Sequence, residues 1–397
     1  MSEKKERKQK PKSRGNGDGS IYYSETKKKW IGQVTTGRDA AGKLKRRTVY
    51  GKTKTEVKEK VDALKNEVRT QTYIAPDRIT VYQLLEALIE EDKELNIVND
   101  AAYTRKKATL ERIKKSSLSG ISIQSVKPQQ IQDYFKNITN YSNSIIGKDF
   151  GLIKRCFSEA IKRNIIIKNP MDSVRKPKSI KQDKKVRALT VDEQRKLVSV
   201  LFKDDSINYR LQLLLMIFTG MRMGEINALD VNDVNLNFKV INIRRTITKD
   251  TNEKSIIGAT TKTYAGIRKL PIPEILTDQL ISYSDKSIPN KDNLFFYDFR
   301  KNSPVSTSQV NLQFHRIIKK YDILNESVDG IVTLHSLRHT YATRCIEAGM
   351  PAKVLQTLLG HSDIKTTLNI YCDAFAEYQD ESIEKVNKYL ADNNLVG

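Results

Sequence analysis

The sequence has few cysteines and no long apolar run. Its three cysteines, among 397 residues, are odd in number and have no patterned spacing. This argues against a disulfide scaffold or a zinc site and favours a reducing compartment. The longest apolar run, Leu213 to Phe218, is far too short to span a bilayer. The N-terminus lacks the apolar core of a signal peptide, so we expect a soluble, cytoplasmic protein.

Metal-binding and nucleotide-binding motifs are also missing. The chain has four histidines, and none has a carboxylate or cysteine partner at metal-ligand spacing. The glycine-rich phosphate loop of nucleotide-hydrolysing enzymes is absent. The sequence therefore predicts neither a metal site nor a cofactor. His315 and His339 are interpreted as structural residues, because a lone histidine more often has that role.

Positive charge, by contrast, is abundant. The formal net charge is +23, which indicates a polyanionic partner; solubility alone is the other explanation. About half of this excess lies in residues 1–75, which hold 21 Lys and Arg against 9 Asp and Glu. A chain of this length is too long for one ordinary core and suggests two or three domains.

Residues 1–75 have the pattern of a small basic module. Residues 1–18 are lysine-rich without apolar periodicity, which predicts disorder. Strands are predicted at Ser20–Ser24, Lys29–Thr36 and Leu44–Tyr50, with a turn at residues 39–42. Thr53 and Glu56 predict the capping box of a helix. This helix has apolar residues at helical spacing that can cover one face of the sheet: Val57, Val61, Leu64 and Val68.

Residues 76–170 predict a bundle of four helices. Pro76 marks the boundary, and Thr80 with Gln83 makes a second capping box. Pro128 opens the third helix. The fourth helix has apolar residues that alternate at spacings of four and three: Ile146, Phe150, Ile153, Phe157, Ala160 and Ile161. Residues 171–187 hold seven Lys or Arg without periodicity and are interpreted as a basic linker.

Residues 188–397 form the last predicted domain. Thr190 and Glu193 make a third capping box at its start. A strand is predicted from Val240 to Ile247, and residues 256–257 and 267–272 predict a hairpin around Lys262. Most of the remainder has a helical pattern. The sequence as a whole predicts a mainly α fold with small β-sheets, of the α+β class, rather than a wound α/β fold.

The most informative stretch is residues 334–371. His335 and Arg338 are three apart and share a face of a helix. Gly349 and Gly360 predict helix ends, and Ser362 predicts the cap of a third, short helix that carries Tyr371. Three helix ends would thus bring an Arg, two His and a Tyr together. Arg and His donors suit a phosphate, and a Tyr hydroxyl can attack one.

The order of these residues resembles the tyrosine recombinase (phage integrase) family. The resemblance rests on His335-x-x-Arg338, Leu-Leu-Gly-His361 and Tyr371 ten residues later. Upstream, Thr-Gly-Met-Arg-Met-Gly-Glu supplies Arg222 and Glu225, and the predicted hairpin supplies Lys262. These motifs cover roughly residues 188 to 375. Two positions depart from the family pattern: Ser336 stands where Asp is frequent, and Asp373 stands where His is frequent.

The resemblance implies a site-specific recombinase that needs no metal or ATP and integrates and excises a mobile element or prophage. Tyr371 would be the nucleophile that forms a 3′-phosphotyrosine, and Arg222 with Arg338 would hold the phosphate. Lys262 would protonate the leaving 5′ oxygen. The two motif histidines, His335 and His361, would assist proton transfer. Glu225 would be an acidic residue that supports the active site.

The resemblance also assigns the domains and partners. Residues 1–75 would bind arm-type DNA sites, residues 76–170 would bind the core site, and residues 188–397 would be catalytic. Four copies would assemble on DNA in a bacterial cytoplasm, with an excisionase and a host DNA-bending protein as further partners. Candidate arm-DNA contacts are Tyr22, Lys28, Arg46 and Arg47.

Three other functions remain open at this level. A housekeeping dimer resolvase shares the fold but typically lacks an extra N-terminal sheet. A type IB topoisomerase shares the active-site plan and relaxes DNA without partners. A catalytically inactive DNA-binding regulator would not need all six catalytic residue types, which this chain has.

Overall fold

A computed structural model describes residues 19–38, 41–70, 73–74, 77–182, 185–258 and 266–393; of residues 371 and 373–385 it describes the backbone only. Several predicted features lie outside these residues: the disorder of residues 1–18, the first two residues of the turn at 39–42, the boundary at Pro76, and Lys262. The chain divides into two compact units. One comprises residues 1–91 and 108–181, and the other comprises residues 92–107 and 182–397.

The first unit begins with a three-stranded antiparallel sheet. Its strands are β1 (Ser20–Ser24), β2 (Lys29–Arg38) and β3 (Leu44–Gly51), in the order β1-β2-β3, and helix α1 spans Lys54–Arg69. The three predicted strands are confirmed; β1 has the predicted bounds, and β2 and β3 each extend slightly further at the C-terminal end. The Thr53 hydroxyl accepts from the Glu56 amide as predicted, but the Glu56 carboxylate accepts from the Lys52 amide instead of closing the box on Thr53.

A compact apolar layer joins the sheet to α1. Val57, Val61 and Leu64 of the helix are buried against Val34 of β2. Gly32 lies in the same layer, where a Cβ atom would come 2.4 Å from the Cγ2 of Val61 and 2.8 Å from the Cγ1 of Val57. Only a glycine therefore lets the helix lie this close to the middle strand.

A helical region follows, with α2 (Val81–Glu94), α3 (Asp100–Lys114), α4 (Pro128–Asn137) and α5 (Asn143–Lys162). The four predicted helices are confirmed, as is the capping box of Thr80 and Gln83. Within the first unit, the buried carboxylate of Asp149 on α5 accepts from Arg112 of α3 and from the Tyr134 hydroxyl of α4. Several apolar side chains of the same four helices are buried as well: Leu84, Leu85, Ile113, Ile131, Phe135, Ile153 and Phe157.

The second unit contains the remaining elements. Its helices are α6 (Val191–Lys203), α7 (Arg210–Thr219), α8 (Met223–Ile226), α9 (Glu274–Asp285), α10 (Thr307–Lys320), α11 (Ser336–Glu347), α12 (Ala352–Leu359) and α13 (Ile364–Asp392). Its strands are β4 (Val234–Asn235), β5 (Val240–Ile243), β6 (Thr246–Lys249), β7 (Ser255–Gly258), β8 (Arg268–Pro271), β9 (Tyr297–Asp298) and β10 (Ser303–Pro304). They form three small sheets: β4-β5-β8, β6-β7 and β9-β10.

Two strand predictions in this unit are wrong. The single strand from Val240 to Ile247 is interrupted, because Arg244 and Arg245 turn aside to pair with the buried Asp233. The predicted hairpin between residues 256–257 and 267–272 does not form. Instead β7 pairs with β6 across a turn closed by Asp250, whose carboxylate accepts from the Asn252 and Lys254 amides, and β8 pairs with β5.

Helix ends in this unit follow the predictions more closely. The capping box of Thr190 and Glu193 forms in both directions. Gly349 and Gly360 both adopt positive φ, 80° and 66°, as expected for residues that stop helices. The cap of α13 is Asp363 rather than Ser362, and this helix is long, with 29 residues. In the part of the chain described, no helix is both long and apolar enough to cross a membrane.

We predict that Gly32→Ala destabilises the N-terminal sheet by about 1–3 kcal/mol, because the added methyl group must displace α1. Trp30, the only tryptophan of the chain, lies on β2 and reports this module alone by fluorescence. Urea unfolding followed at Trp30 should shift to a lower midpoint. Gly120→Ala is the control, since a Cβ there meets no atom within 4 Å. An unchanged midpoint for Gly32→Ala would contradict the proposed packing.

Candidate active site

Arg338 is held where two helices end. It lies on α11, its guanidinium is almost fully buried, and its residue is 2 % exposed. Its Nη1 donates to the carbonyl of Gly220, just after α7, over 2.7 Å, and its Nη2 donates to the carbonyl of Leu359, at the end of α12, over 2.7 Å. Burial, and then the positive charge of Arg222, lower the pKa of Arg338 to about 9.

Arg222 lies at the N-terminal end of the short helix α8, and its side chain is 42 % exposed. Its Nη1 donates to Oε1 of Glu225 over 2.9 Å, and its backbone amide donates to Oε2 of the same carboxylate over 2.9 Å. Its Nη2 is 3.5 Å from the carbonyl oxygen of Gly360. Arg222 and Arg338 therefore meet at the same helix end, that of α12.

Glu225 is the negative charge between the arginines, and its side chain is 3 % exposed. It accepts from Arg222 and also from a residue that the sequence did not single out, Arg268 of β8. Burial opposes ionisation of this carboxyl group, but the hydrogen bonds and positive charge of Arg268, followed by those of Arg222, hold the pKa of Glu225 below its usual range. The alternation with buried Leu270 was the signal that could have placed Arg268 inward.

His361 follows directly after α12 and is 9 % exposed. Its Nδ1 lies 2.9 Å from the hydroxyl of Thr367, a fully buried residue on α13, and this contact fixes the ring. Burial, and then the charges of Arg338, Arg222 and others, lower the pKa of His361 to about 4. The imidazole is therefore neutral at pH 7 in the protein without DNA.

His335 precedes α11, and its ring lies 5.0 Å from that of His339, nearly perpendicular to it. Although the residue is exposed, partial desolvation and then the charges of His339 and Arg338 lower its pKa to about 4. His335 and Arg222 line one cavity, together with Thr307 and Asn311 of α10. The two motifs that lie far apart in sequence therefore face the same cleft.

Ser336, the first departure from the family pattern, has a local role. Its residue is fully buried, and its hydroxyl accepts from the Thr333 amide over 3.0 Å, which ties the first residue of α11 to the segment before the helix. Asp373, the second departure, is on α13, and its side chain lies outside the described residues.

Two members of the predicted set are only partly described. Tyr371 lies on α13, which packs against α11 and α12, and its side chain is outside the description. Lys262 lies in the segment 259–265, between β7 and β8, that is outside it as well. The structure thus brings five of the seven predicted residues into one neighbourhood: Arg222, Glu225, His335, Arg338 and His361.

The candidate arm contacts are distributed over the N-terminal sheet. Helix α1 covers the face of the sheet that carries Gly32 and Val34, and side chains alternate between the two faces along a strand. Tyr22 pairs with Ile31, and Arg46 pairs with Thr35, so these pairs lie on the opposite face. Tyr22 and Arg46 therefore belong to the face away from the helix. Lys28 is in the turn between β1 and β2, at φ 47°. Arg47 pairs with Val34 and so belongs to the helix-covered side.

The arrangement suits an anionic, tetrahedral ligand. Two guanidiniums and two neutral imidazoles lie close enough to interact electrostatically, and together they offer hydrogen-bond donors and a proton acceptor. Among the described residues, no group of three or more His, Cys, Asp or Glu is arranged to hold a metal ion.

Comparison with known proteins gives a consistent result. The phage integrase family matches residues 187–377. A tyrosine recombinase XerC-like protein of Caldanaerobacter subterraneus subsp. tengcongensis is 28 % identical over 402 residues, 93 % of this chain and 97 % of that protein. The transposase from transposon Tn916 of Enterococcus faecalis is 27 % identical over 369 residues, 86 % of this chain and 85 % of that protein.

The fold is also shared with a solved structure, that of the Tn1549 transposon integrase in complex with a circular intermediate DNA. The TM-score is 0.65 at 23 % identity, over 76 % of this chain and 99 % of that chain. The expected α+β class, with small antiparallel sheets among many helices, is therefore confirmed.

We predict that stability falls as the pH is lowered through the range set by His361. Its pKa is about 4 in the folded protein and about 6.5 when unfolded, so the unfolded chain takes up the proton first. The stabilisation that comes from the neutral His361 ring is complete above pH 6.5 and is lost as the pH falls to about 4. The free energy of unfolding is measured in urea at pH 7.5 and at pH 4.5. Between these two pH values, wild type should lose about 2 kcal/mol more of this free energy than His361→Gln. His315→Gln, on the exposed side of α10, is the control; identical pH profiles for wild type and His361→Gln would refute the prediction.

Proposed function

Because residues 187–377 form a phage integrase family domain, we propose that the chain is a site-specific DNA recombinase of a mobile element or prophage. It cleaves and rejoins DNA strands, and so integrates and excises the element. The observation that carries the proposal is the convergence of Arg222, Arg338 and His361 on the C-terminal end of α12, directly before the helix that bears Tyr371. As a DNA-recombining enzyme of bacteria, it would act in the cytoplasm.

The proposed reaction is a phosphoryl transfer to Tyr371. The phenolic oxygen attacks the scissile phosphorus, a phosphotyrosine bond to the 3′ side forms, and the bond to the 5′ oxygen breaks. The phenolic proton passes to a neutral imidazole, and both His335 and His361 are neutral at pH 7 because their pKa values lie below that pH. The ammonium group of Lys262 gives a proton to the departing 5′ oxygen.

Arg222 and Arg338 supply the charge for this transfer. Each guanidinium is oriented by protein acceptors, and each Nη atom has a second N–H besides the one already donated. Those groups can bind the nonbridging oxygens, whose charge builds up in the transition state. No reorganisation of the arginines is then needed at the moment of reaction.

The covalent intermediate explains how strands are exchanged without a nucleotide. The phosphotyrosine conserves the energy of the phosphodiester, and the 5′-hydroxyl of another strand can attack it in the reverse reaction. Exchange between two duplexes involves four cleaved strands, and each protomer supplies one tyrosine. We therefore extend the proposal to a homotetramer on double-stranded DNA.

Tyr341 lies on α11, the helix that carries Arg338, and is therefore an alternative nucleophile. Its environment favours Tyr371 for this role instead. Tyr341 packs against Gly220, where a Cβ atom would come 2.4 Å from its ring. Burial raises the pKa of the Tyr341 hydroxyl, and the neighbouring Cys345 adds to this effect. A buried phenol that resists ionisation is a poor nucleophile.

We predict that Tyr371→Phe binds site DNA with unchanged affinity and forms no covalent adduct, because only the attacking oxygen is removed. A nicked duplex, selected by the protein from random-sequence DNA, traps the adduct on a denaturing gel. Tyr341→Phe is the matched control and should retain adduct formation. Adduct at wild-type level in Tyr371→Phe would disprove the assignment.

We further propose that the N-terminal module binds a second, distal class of DNA site. Its sheet presents Tyr22, Arg46 and Tyr50 on the face away from α1, with the Lys27 ammonium 5.3 Å from the Tyr50 ring centre. Basic and aromatic side chains on a narrow sheet suit entry into a major groove. A housekeeping resolvase would not require this module.

We predict that deletion of residues 1–75 preserves cleavage of a core site and abolishes binding to the distal site. Fewer phosphates are neutralised, so the slope of log affinity against log salt should fall by about 0.9 for each lost contact. Gel shifts over a salt series measure both. Arg46→Ala should weaken distal binding, whereas Lys58→Ala, on the exposed side of α1, should not. Equal distal affinity with and without the module would contradict the proposal.

A further inference from the structure

Three consecutive carbonyl groups at the end of α12 each accept a hydrogen bond from a different arginine. Arg268 Nε donates to Leu358 over 2.7 Å, Arg338 Nη2 donates to Leu359 over 2.7 Å, and Arg222 Nη2 approaches Gly360 at 3.5 Å. The last carbonyls of a helix have no partner within it, and they carry the negative end of its dipole. The three arginines use these free acceptors.

Arg268 differs from the other two arginines because nearly all of the N–H groups of its guanidinium donate to acceptors inside the protein. Its side chain is 4 % exposed. Besides the bond to Leu358, its Nη1 donates to the carbonyl of Gly266 and to Oε1 of Glu225, and its Nη2 donates to Oε2 of Glu225 over 2.8 Å. A group with these partners is not free to contact a DNA phosphate.

We propose that Arg268 is a positioning residue that sets the orientation of Arg222 for the phosphate. The inference rests on the proposed function. Glu225 is buried and ionised, so it requires full compensation by cations. Because Arg268 binds both carboxylate oxygens, Arg222 needs to give only one side-chain N–H to Glu225. Without Arg268, the carboxylate would draw Arg222 into a two-bond pair and away from the substrate.

The same residue fixes the end of α12 relative to β8. The bond from Arg268 to Leu358 lies one residue before the carbonyl that orients Arg338 and three residues before His361. Loss of Arg268 should therefore disturb the hydrogen-bond donors that face the nonbridging oxygens, while Lys262 and its proton transfer to the leaving group remain. This difference can be measured with modified substrates.

Two substrates separate these roles. A methylphosphonate at the scissile position replaces a charged nonbridging oxygen with a methyl group, so the demand on the arginines is smaller. A 5′-bridging phosphorothiolate has a leaving group that departs without a proton, so the demand on Lys262 is removed. Both can be placed in the same selected duplex that traps the adduct.

The test measures the rate of adduct formation by full-length wild type, Arg268→Gln and Arg268→Lys on the three substrates. We expect Arg268→Gln to bind DNA with an affinity within about 2-fold of wild type. It should cleave the normal phosphate roughly 100-fold more slowly, which is at the lower end of the rate loss when one hydrogen-bond donor to the transition state is removed. On methylphosphonate the difference should shrink to below about 5-fold, and on phosphorothiolate it should persist. Arg268→Lys keeps the charge, reduces the risk of misfolding, and should show the same pattern with a smaller loss.

Arg187→Gln is the matched control, because it breaks another largely buried Arg–Glu pair in the same unit. Arg187 Nη1 and Nη2 lie 2.6 and 2.7 Å from the carboxylate of Glu193, and Arg187 also donates to the carbonyl of Ala188. This variant should lose stability without preferring any substrate. Lys262→Ala provides the reference for recovery on phosphorothiolate.

Each result decides the question. An Arg268→Gln defect that is equal on all three substrates, as for a general loss of folded protein, would overturn the inference. Recovery on phosphorothiolate alone would overturn it as well, by assigning Arg268 to the proton-transfer step. If wild type and Arg268→Gln form the adduct at equal rates, this result refutes the inference and leaves the proposed function in place. A wild-type protein that forms no adduct would refute the proposed function and the inference together.

Discussion

The site depends on holding three arginines together before any substrate is present. Arg222, Arg268 and Arg338 repel one another, and the lowered pKa of Arg338 reflects both its burial and the nearby Arg222. Two features offset this repulsion: the carboxylate of Glu225 and the carbonyl end of α12. The compensation is incomplete, since one carboxylate faces three guanidiniums. The remaining positive potential favours a phosphate anion in the cleft.

Burial and the same potential together explain the histidines. His335 and His361 are kept neutral first by desolvation, and then because protonation would add charge beside the arginines. A neutral imidazole can accept the proton of a tyrosine, which a protonated one cannot. A bound phosphate supplies negative charge and raises these pKa values again, so DNA binding and proton acceptance support each other. The chemistry of the site is thus coupled to the presence of its substrate.

Features set by local chemistry could be predicted from the sequence. Thr190 with Glu193, Gly349 and Gly360 end or begin helices through their own hydrogen bonds and backbone preferences, and they do so in the structure. The motif residues Arg222, His335, Arg338 and His361 were expected together because the family resemblance carries information about distant contacts, and they lie near one another in the structure; their catalytic roles stay predictions.

Features set by competition between partners were mispredicted or missed. The pairing of β7 with β6 depends on the Asp250 turn, and the sequence pattern fits the alternative hairpin equally well. Asp363 and Ser362 are adjacent capping residues, and only the structure shows which one bonds. Arg268 was missed because an arginine in a short strand usually faces solvent, whereas here the buried Glu225 retains it.

We propose that this cluster of charges serves a covalent reaction at Tyr371. The most direct measurement is mass spectrometry of the peptide that remains linked to DNA after digestion of the trapped wild-type complex. We expect a single linkage, on Tyr371, to the 3′ phosphate of the cleaved strand. Linkage to another residue, such as Tyr341, or to the 5′ end of the strand would contradict it.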